Sequence, residues 1–104
     1  MASLKKELLQ HLQEIEGLQA LPSKVPGGTA LFYKEKEFAH FHSDNEIDLR
    51  LTRQLIKSLG LRHPPRSTTH PARAASSNWI ELRFSSIEEV QVVAGLVRQA
   101  ISQL

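Results

Sequence analysis

The sequence predicts an α+β fold: one antiparallel sheet with helices packed on one face, in the order α-β-β-β-α-β-α. Three observations predict it. Short runs with apolar residues at alternate positions fill the middle of the chain. Apolar stripes at helical spacing stand at both ends. Residues that favour turns separate the runs. With 104 residues and no internal repeat, the chain fits a single domain, 1–104, around one core.

The first element is a helix over 3–16, with Leu4, Leu8, Leu12 and Ile15 on one face. Ser3 suits its start, and Gly17 suits a left-handed stop. Leu21–Gly28, "LPSKVPGG", reads as a connection rich in breakers. A strand follows over 29–33, and Lys34–Lys36 reads as a tight polar turn. Two alternating runs, 37–42 and 46–51, flank "SDN" and form a hairpin. Thr52 then caps a short helix over 53–59 that Gly60 ends. Residues 61–77 hold prolines, arginines and histidines among small residues and read as a long loop. Loops of that length are usually functional or mobile. A strand over 78–84 leads to a closing helix over 86–103. That helix opens on a capping-box pattern, Ser85 with Glu88 or Ser86 with Glu89, and carries the longest apolar stripe in the chain.

Alternation assigns each strand residue to a face. Ala39 and Phe41 must lie beside Ile47 and Leu49, because a slip of one residue would turn every side chain over. A three-residue loop, Ser43–Asn45, gives this register. It sets His42 opposite Glu46, His40 opposite Asp48 and Phe38 opposite Arg50. On the last strand Ile80, Leu82 and Phe84 face the helices, and Trp79, Glu81 and Arg83 face away. The outer face of the sheet is therefore expected to carry Phe38, His40, His42, Asp48, Arg50, Trp79, Glu81 and Arg83. A mixed-charge face of this kind is ordinarily a solvated ladder, each opposed pair contributing about 0.2–1 kcal/mol. Exposed aromatics beside arginines, with the 61–78 loop leading into Trp79, point instead to a docking surface.

Composition removes several classes of function. The absence of cysteine excludes disulfides, zinc–thiolate sites and thiol catalysis, and suits a reducing compartment. No apolar run reaches the length of a membrane span, and the first residues are too evenly charged for a signal peptide, so a cytoplasmic location is expected. Thirteen Lys and Arg against eleven Asp and Glu leave a net charge of +2, which argues against tight binding to nucleic acid.

The chemistry left open centres on the hairpin. His40 and His42 point the same way about 7 Å apart by strand rise. Asp48 or Glu46 could complete a weak metal set, since first-row metals accept imidazole with carboxylate. His40 with Asp48 could also serve acid–base work. No hydroxyl stands in a nucleophile motif, and "VPGGTA" lacks the lysine of a phosphate loop. Arg66 and Arg73 in the loop, with Arg50 and Arg83 on the sheet, could hold an anion. The residues thus favour a non-enzymatic module, without cofactor, that binds a small anion or a protein partner as a monomer or homodimer. A hydrolase or metal-dependent enzyme centred on His40, His42 and Asp48 is the alternative, and weak DNA binding the second.

The segments "EFAHFH", "EIDLRL" and "HPARAASSNWIELRF" resemble those of the bacterial luciferase-domain proteins, a family of unknown function, over residues 25–103. The resemblance implies neither light emission nor a flavin site, and it transfers no catalytic residue. The order of elements is also similar, more loosely, to that of the MmcQ/YjbR-like proteins. That likeness implies a CyaY-like fold and a DNA-binding shape.

Overall fold

The computed structural model describes residues 3–23, 28–61 and 77–104. Among them the order is α1 (Leu4–Leu12), β1 (Leu18–Pro22), β2 (Thr29–Tyr33), β3 (Lys36–Ser43), β4 (Glu46–Arg50), α2 (Arg53–Ser58), β5 (Trp79–Arg83) and α3 (Ile87–Ser102). The strands form an antiparallel meander in spatial order β1-β2-β3-β4-β5. The α+β architecture stands, with one strand more than the sequence order contains. The added strand, β1, is an edge strand whose last four residues are exposed. It therefore has no buried face to impose alternation, and it ends on Pro22, which an edge tolerates.

α1 and α3 cover one face of the sheet. Leu8 and Leu12 from α1 and Val90, Val93 and Val97 from α3 share a buried cluster with Leu31, Ala39, Phe41, Ile47, Leu49 and Ile80. Burying a side chain of this size contributes about 1.5–3 kcal/mol. No described helix is long and apolar enough to cross a membrane.

Two irregularities in β3 shape its outer face. Between β2 and β3 the register runs Leu31↔Ala39 and then Phe32↔Glu37, so Phe38 is an extra residue. A bulge of this kind re-aims a side chain. Phe38 is 0% exposed and belongs to the core cluster. The expectation that Phe38 lies on the outer face opposite Arg50 is thus corrected: the bulge breaks the alternation on which it rested. Between β3 and β4 the pairs Ala39↔Leu49, His40↔Asp48 and Phe41↔Ile47 are followed by Ser43↔Glu46, which makes His42 the extra residue. The turn is therefore Asp44–Asn45, two residues rather than three, with the Ser43 hydroxyl donating to Asn45 Oδ1 at 3.0 Å.

Asn78 ties α2 to the start of β5. Its carbonyl accepts from the N–H groups of Leu51 and Thr52, at 2.9 and 3.1 Å. Its side-chain oxygen accepts from Arg53 N–H at 2.9 Å. These bonds hold Thr52, a β-branched residue, at a strained φ of 88° while its hydroxyl accepts from Leu55 N–H. The same clamp fixes the residue before Trp79.

α3 starts on the second of the two capping boxes. Ser86 Oγ accepts from Glu89 N–H at 3.2 Å, and Glu89 Oε1 accepts from Ser85 Oγ at 2.7 Å and from Ser85 N–H at 3.2 Å. Donation from the Ser85 hydroxyl, and then from its N–H, holds the Glu89 carboxyl below its ordinary value of 4.5. A carboxyl lowered in the folded state adds stability above its unfolded value, and loses it as pH falls through the folded one. Glu89→Gln is therefore expected to lower the melting temperature at neutral pH, with the gap to the parent closing in acid below 4.5. Thermal melts of both proteins across that range check this. A gap that stays constant into strong acid would mean that the charge contributes nothing.

Candidate functional site

The site lies on the sheet face away from α1 and α3, where β3, β4 and β5 run side by side. Antiparallel pairing lines up His40, Asp48 and Glu81 in one row, through His40↔Asp48 and Asp48↔Glu81. Two carboxylates therefore stand directly opposite each other on neighbouring strands. Both are buried, Asp48 at 1% and Glu81 at 0% exposure. Like charges directly opposed on a sheet are destabilising, and burial adds a desolvation cost.

The imidazoles of β3 lean over this pair. His40 Nε2 is 3.4 Å from Asp48 Oδ2, while its Nδ1 is 3.5 Å from Glu37 Oε1. His42 Nδ1 is 3.2 Å from Glu81 Oε1 and 3.5 Å from Glu46 Oε1. The two rings come within 4.9 Å of each other, closer than the strand rise between their backbones. The Trp79 ring sits 5.5 Å from His40, reaching from β5 across β4 to β3. Asp48 lies on the strand that this contact spans. Two groups of donors result, His40–His42–Asp48 and His42–Glu46–Glu81, each with its ligand atoms within 4.8 Å of one another. They share His42.

The arginines play different parts. Arg83 Nε donates to Glu46 Oε2 at 2.8 Å, and the two residues are cross-strand partners. Arg50 is half-buried opposite Trp79. Arg66 and Arg73, and the loop that contains them, lie outside the described residues.

The family model for the Luciferase domain matches residues 35–100, from the β2–β3 turn into α3. The chain belongs to the Luciferase domain family. That match contains all of β3, β4 and β5, and with them every residue of the cluster. No curated protein and no solved structure matches the chain.

Of the residues that the sequence nominates, the structure brings His40, His42, Asp48, Glu81 and Trp79 together. Arg83 stands at the rim through Glu46, and Phe38 is withdrawn into the core. Two features go beyond the sequence reading. Glu37 contacts His40 from within β3, and Glu81 is a buried neighbour of Asp48 rather than an outward charge. The second was open to inference. Pairing Leu49 with Ile80 and Ile47 with Leu82 leaves Asp48 opposite Glu81.

Proposed function

We propose that the protein is a ligand-binding module working through the outer face of its sheet, and that its ligand is cationic. The observation that carries this is the opposed, buried pair Asp48 and Glu81. Two buried carboxylates side by side favour positive charge on the face they share. His40 and His42 place imidazole nitrogens among the same carboxylate oxygens. An anion suits the centre of this face less well than the arginines in the sequence suggested. Three carboxylates converge there, and Arg83 is engaged with Glu46. The same acidic centre repels phosphate and opposes DNA binding.

Binding fits better than nucleophilic catalysis because several described hydroxyls have structural duties. Ser43 donates to Asn45, Thr52 and Ser86 cap helices, and Ser77 accepts from Trp79 N–H. A metal-dependent hydrolase is the second reading, favoured by the His40–His42–Asp48 donors. Turnover of ester or phosphoester substrates by metal-loaded protein would select it.

Trp79 is the one tryptophan in the chain, so its indole N–H signal in an NMR spectrum is assigned by inspection. Titration with small cations, both divalent metal ions and a polyamine such as spermidine, is expected to shift that signal together with those of the His40 and His42 rings. Signals that ignore every cation but move with inorganic phosphate would sink the cationic reading.

A further inference from the structure

Resting on that reading, we propose that the cation is a single divalent first-row transition-metal ion held by His40, His42 and Asp48. Glu81 and Glu37 act as positioning residues behind the two imidazoles.

Distances come first. A tetrahedral ion with ligand bonds of about 2.0–2.2 Å keeps its donors roughly 3.3–3.6 Å apart. His40 Nε2 and Asp48 Oδ2 stand 3.4 Å apart, at that spacing. The same separation is long for a hydrogen bond, whose usual range is about 2.7–3.2 Å. The ligand atoms of His40, His42 and Asp48 all lie within 4.8 Å of one another, so small rotamer changes close the remaining edges.

The orientation of the rings comes second. In metal sites the ring nitrogen that does not bind the ion commonly faces a carboxylate, which fixes the tautomer and the ring plane. His40 turns Nε2 to Asp48 and Nδ1 to Glu37. His42 turns Nδ1 to Glu81, so the ion is proposed to meet its other ring nitrogen. Each imidazole therefore has a carboxylate behind it. A plain charge ladder would not require this on both rings.

Donor type sets the class of ion. Two imidazoles with one carboxylate select zinc, nickel or cobalt over calcium and magnesium, which prefer sets made wholly of oxygen. The alternative triad, His42–Glu46–Glu81, is poorer on two counts. It offers one nitrogen only, and its Glu46 is engaged by Arg83 at 2.8 Å. Because both triads need His42, the face holds one ion. Three protein donors leave a coordination position open to an exogenous group.

The test uses the full chain, stripped with chelator and titrated with Zn2+ and Co2+. Calorimetry is expected to show one ion per chain, and the Co2+ complex to show the intense visible bands of a four- or five-coordinate site. His40→Gln and His42→Gln are each expected to weaken Zn2+ binding about a hundredfold or more, beyond the roughly 10–100-fold loss expected for Glu81→Gln, which removes an outer-shell partner. Glu46→Gln separates the triads: its affinity stays close to the parent's if His40–His42–Asp48 holds the ion. A loss as large as that of His40→Gln would overturn the assignment. Two ions per chain, or a pale octahedral Co2+ spectrum, would overturn it without any variant. If no metal ion binds while spermidine still moves the Trp79 signal, the metal fails and the cationic reading survives. If neither moves it, both fail.

Discussion

Phe38→Ala is expected to lose about 3–5 kcal/mol of folding stability, the usual cost of truncating a buried phenylalanine. The loss would read as a lower denaturant midpoint with little change in slope. Against a total of about 5–15 kcal/mol for a domain of this size, the variant would stand near the edge of folding. The magnitude follows from where the bulge in β3 sends the ring. Simple alternation from Ala39 and Phe41 would put Phe38 outside with the histidines, where truncation usually changes stability by about 0.5 kcal/mol or less. With the bulge between Leu31 and Phe32 of β2, the ring is fully buried in the core cluster. Removing it leaves a cavity as well as losing apolar burial. Urea titration of parent and variant distinguishes the two placements. A loss below about 1 kcal/mol would return Phe38 to the surface.

What the sequence made legible follows the strength of each local constraint. β3, β4 and β5 each turn an apolar face to the helices, so Ala39, Phe41, Ile47, Leu49, Ile80 and Leu82 announce themselves by period, and with them the pairing of His40 with Asp48. β1 has only Leu18 half-buried and its other residues exposed, so nothing in its pattern marks it as a strand. The bulges at Phe38 and His42 are invisible for a different reason. A bulge is chosen by the twist and by the neighbouring strand, and no residue type encodes it unless a glycine is required. The candidate site was legible in the same uneven way. Its histidines and Asp48 sit within one hairpin, where turn length limits the register. Glu81 reaches them only through the β4–β5 register, which the apolar pairs Ile47–Leu82 and Leu49–Ile80 set rather than a short turn. His42 meets it, and Trp79 meets His40, by reaching across β4, which no spacing rule supplies.

Glu81→Gln is expected to stabilise the ion-free protein by about 0.5–3 kcal/mol, the size of coupling between neighbouring groups, and at the same time to weaken its hold on zinc. The sign follows from what the substitution keeps and what it removes. Glutamine has nearly the shape of glutamate, so the packing is retained. Its carbonyl oxygen can stand where Glu81 Oε1 now lies, 3.2 Å from His42 Nδ1. Its amide group adds a donor beside Asp48, the residue directly opposite. What disappears is a buried negative charge facing another negative charge. The expected gain is the loss of that repulsion, and of the cost of burying the charge, set against a weaker contact with His42. Functional sites commonly hold such strain, and relieving it stabilises the fold at the expense of binding. Chemical denaturation with chelator present measures the first effect, and a variant less stable than its parent by more than about 1 kcal/mol would show that Glu81 supports the resting fold. Added zinc should narrow the gap between the two proteins, and reverse it where the loss of affinity exceeds the gain in resting stability. Binding stabilises the parent by about 2.7 kcal/mol at a hundred times its dissociation constant, and the variant by less at the same concentration. Stability curves that converge or cross as zinc rises would tie the buried charge to the ion. Curves that stay parallel would show that burial and binding at this face are separate matters.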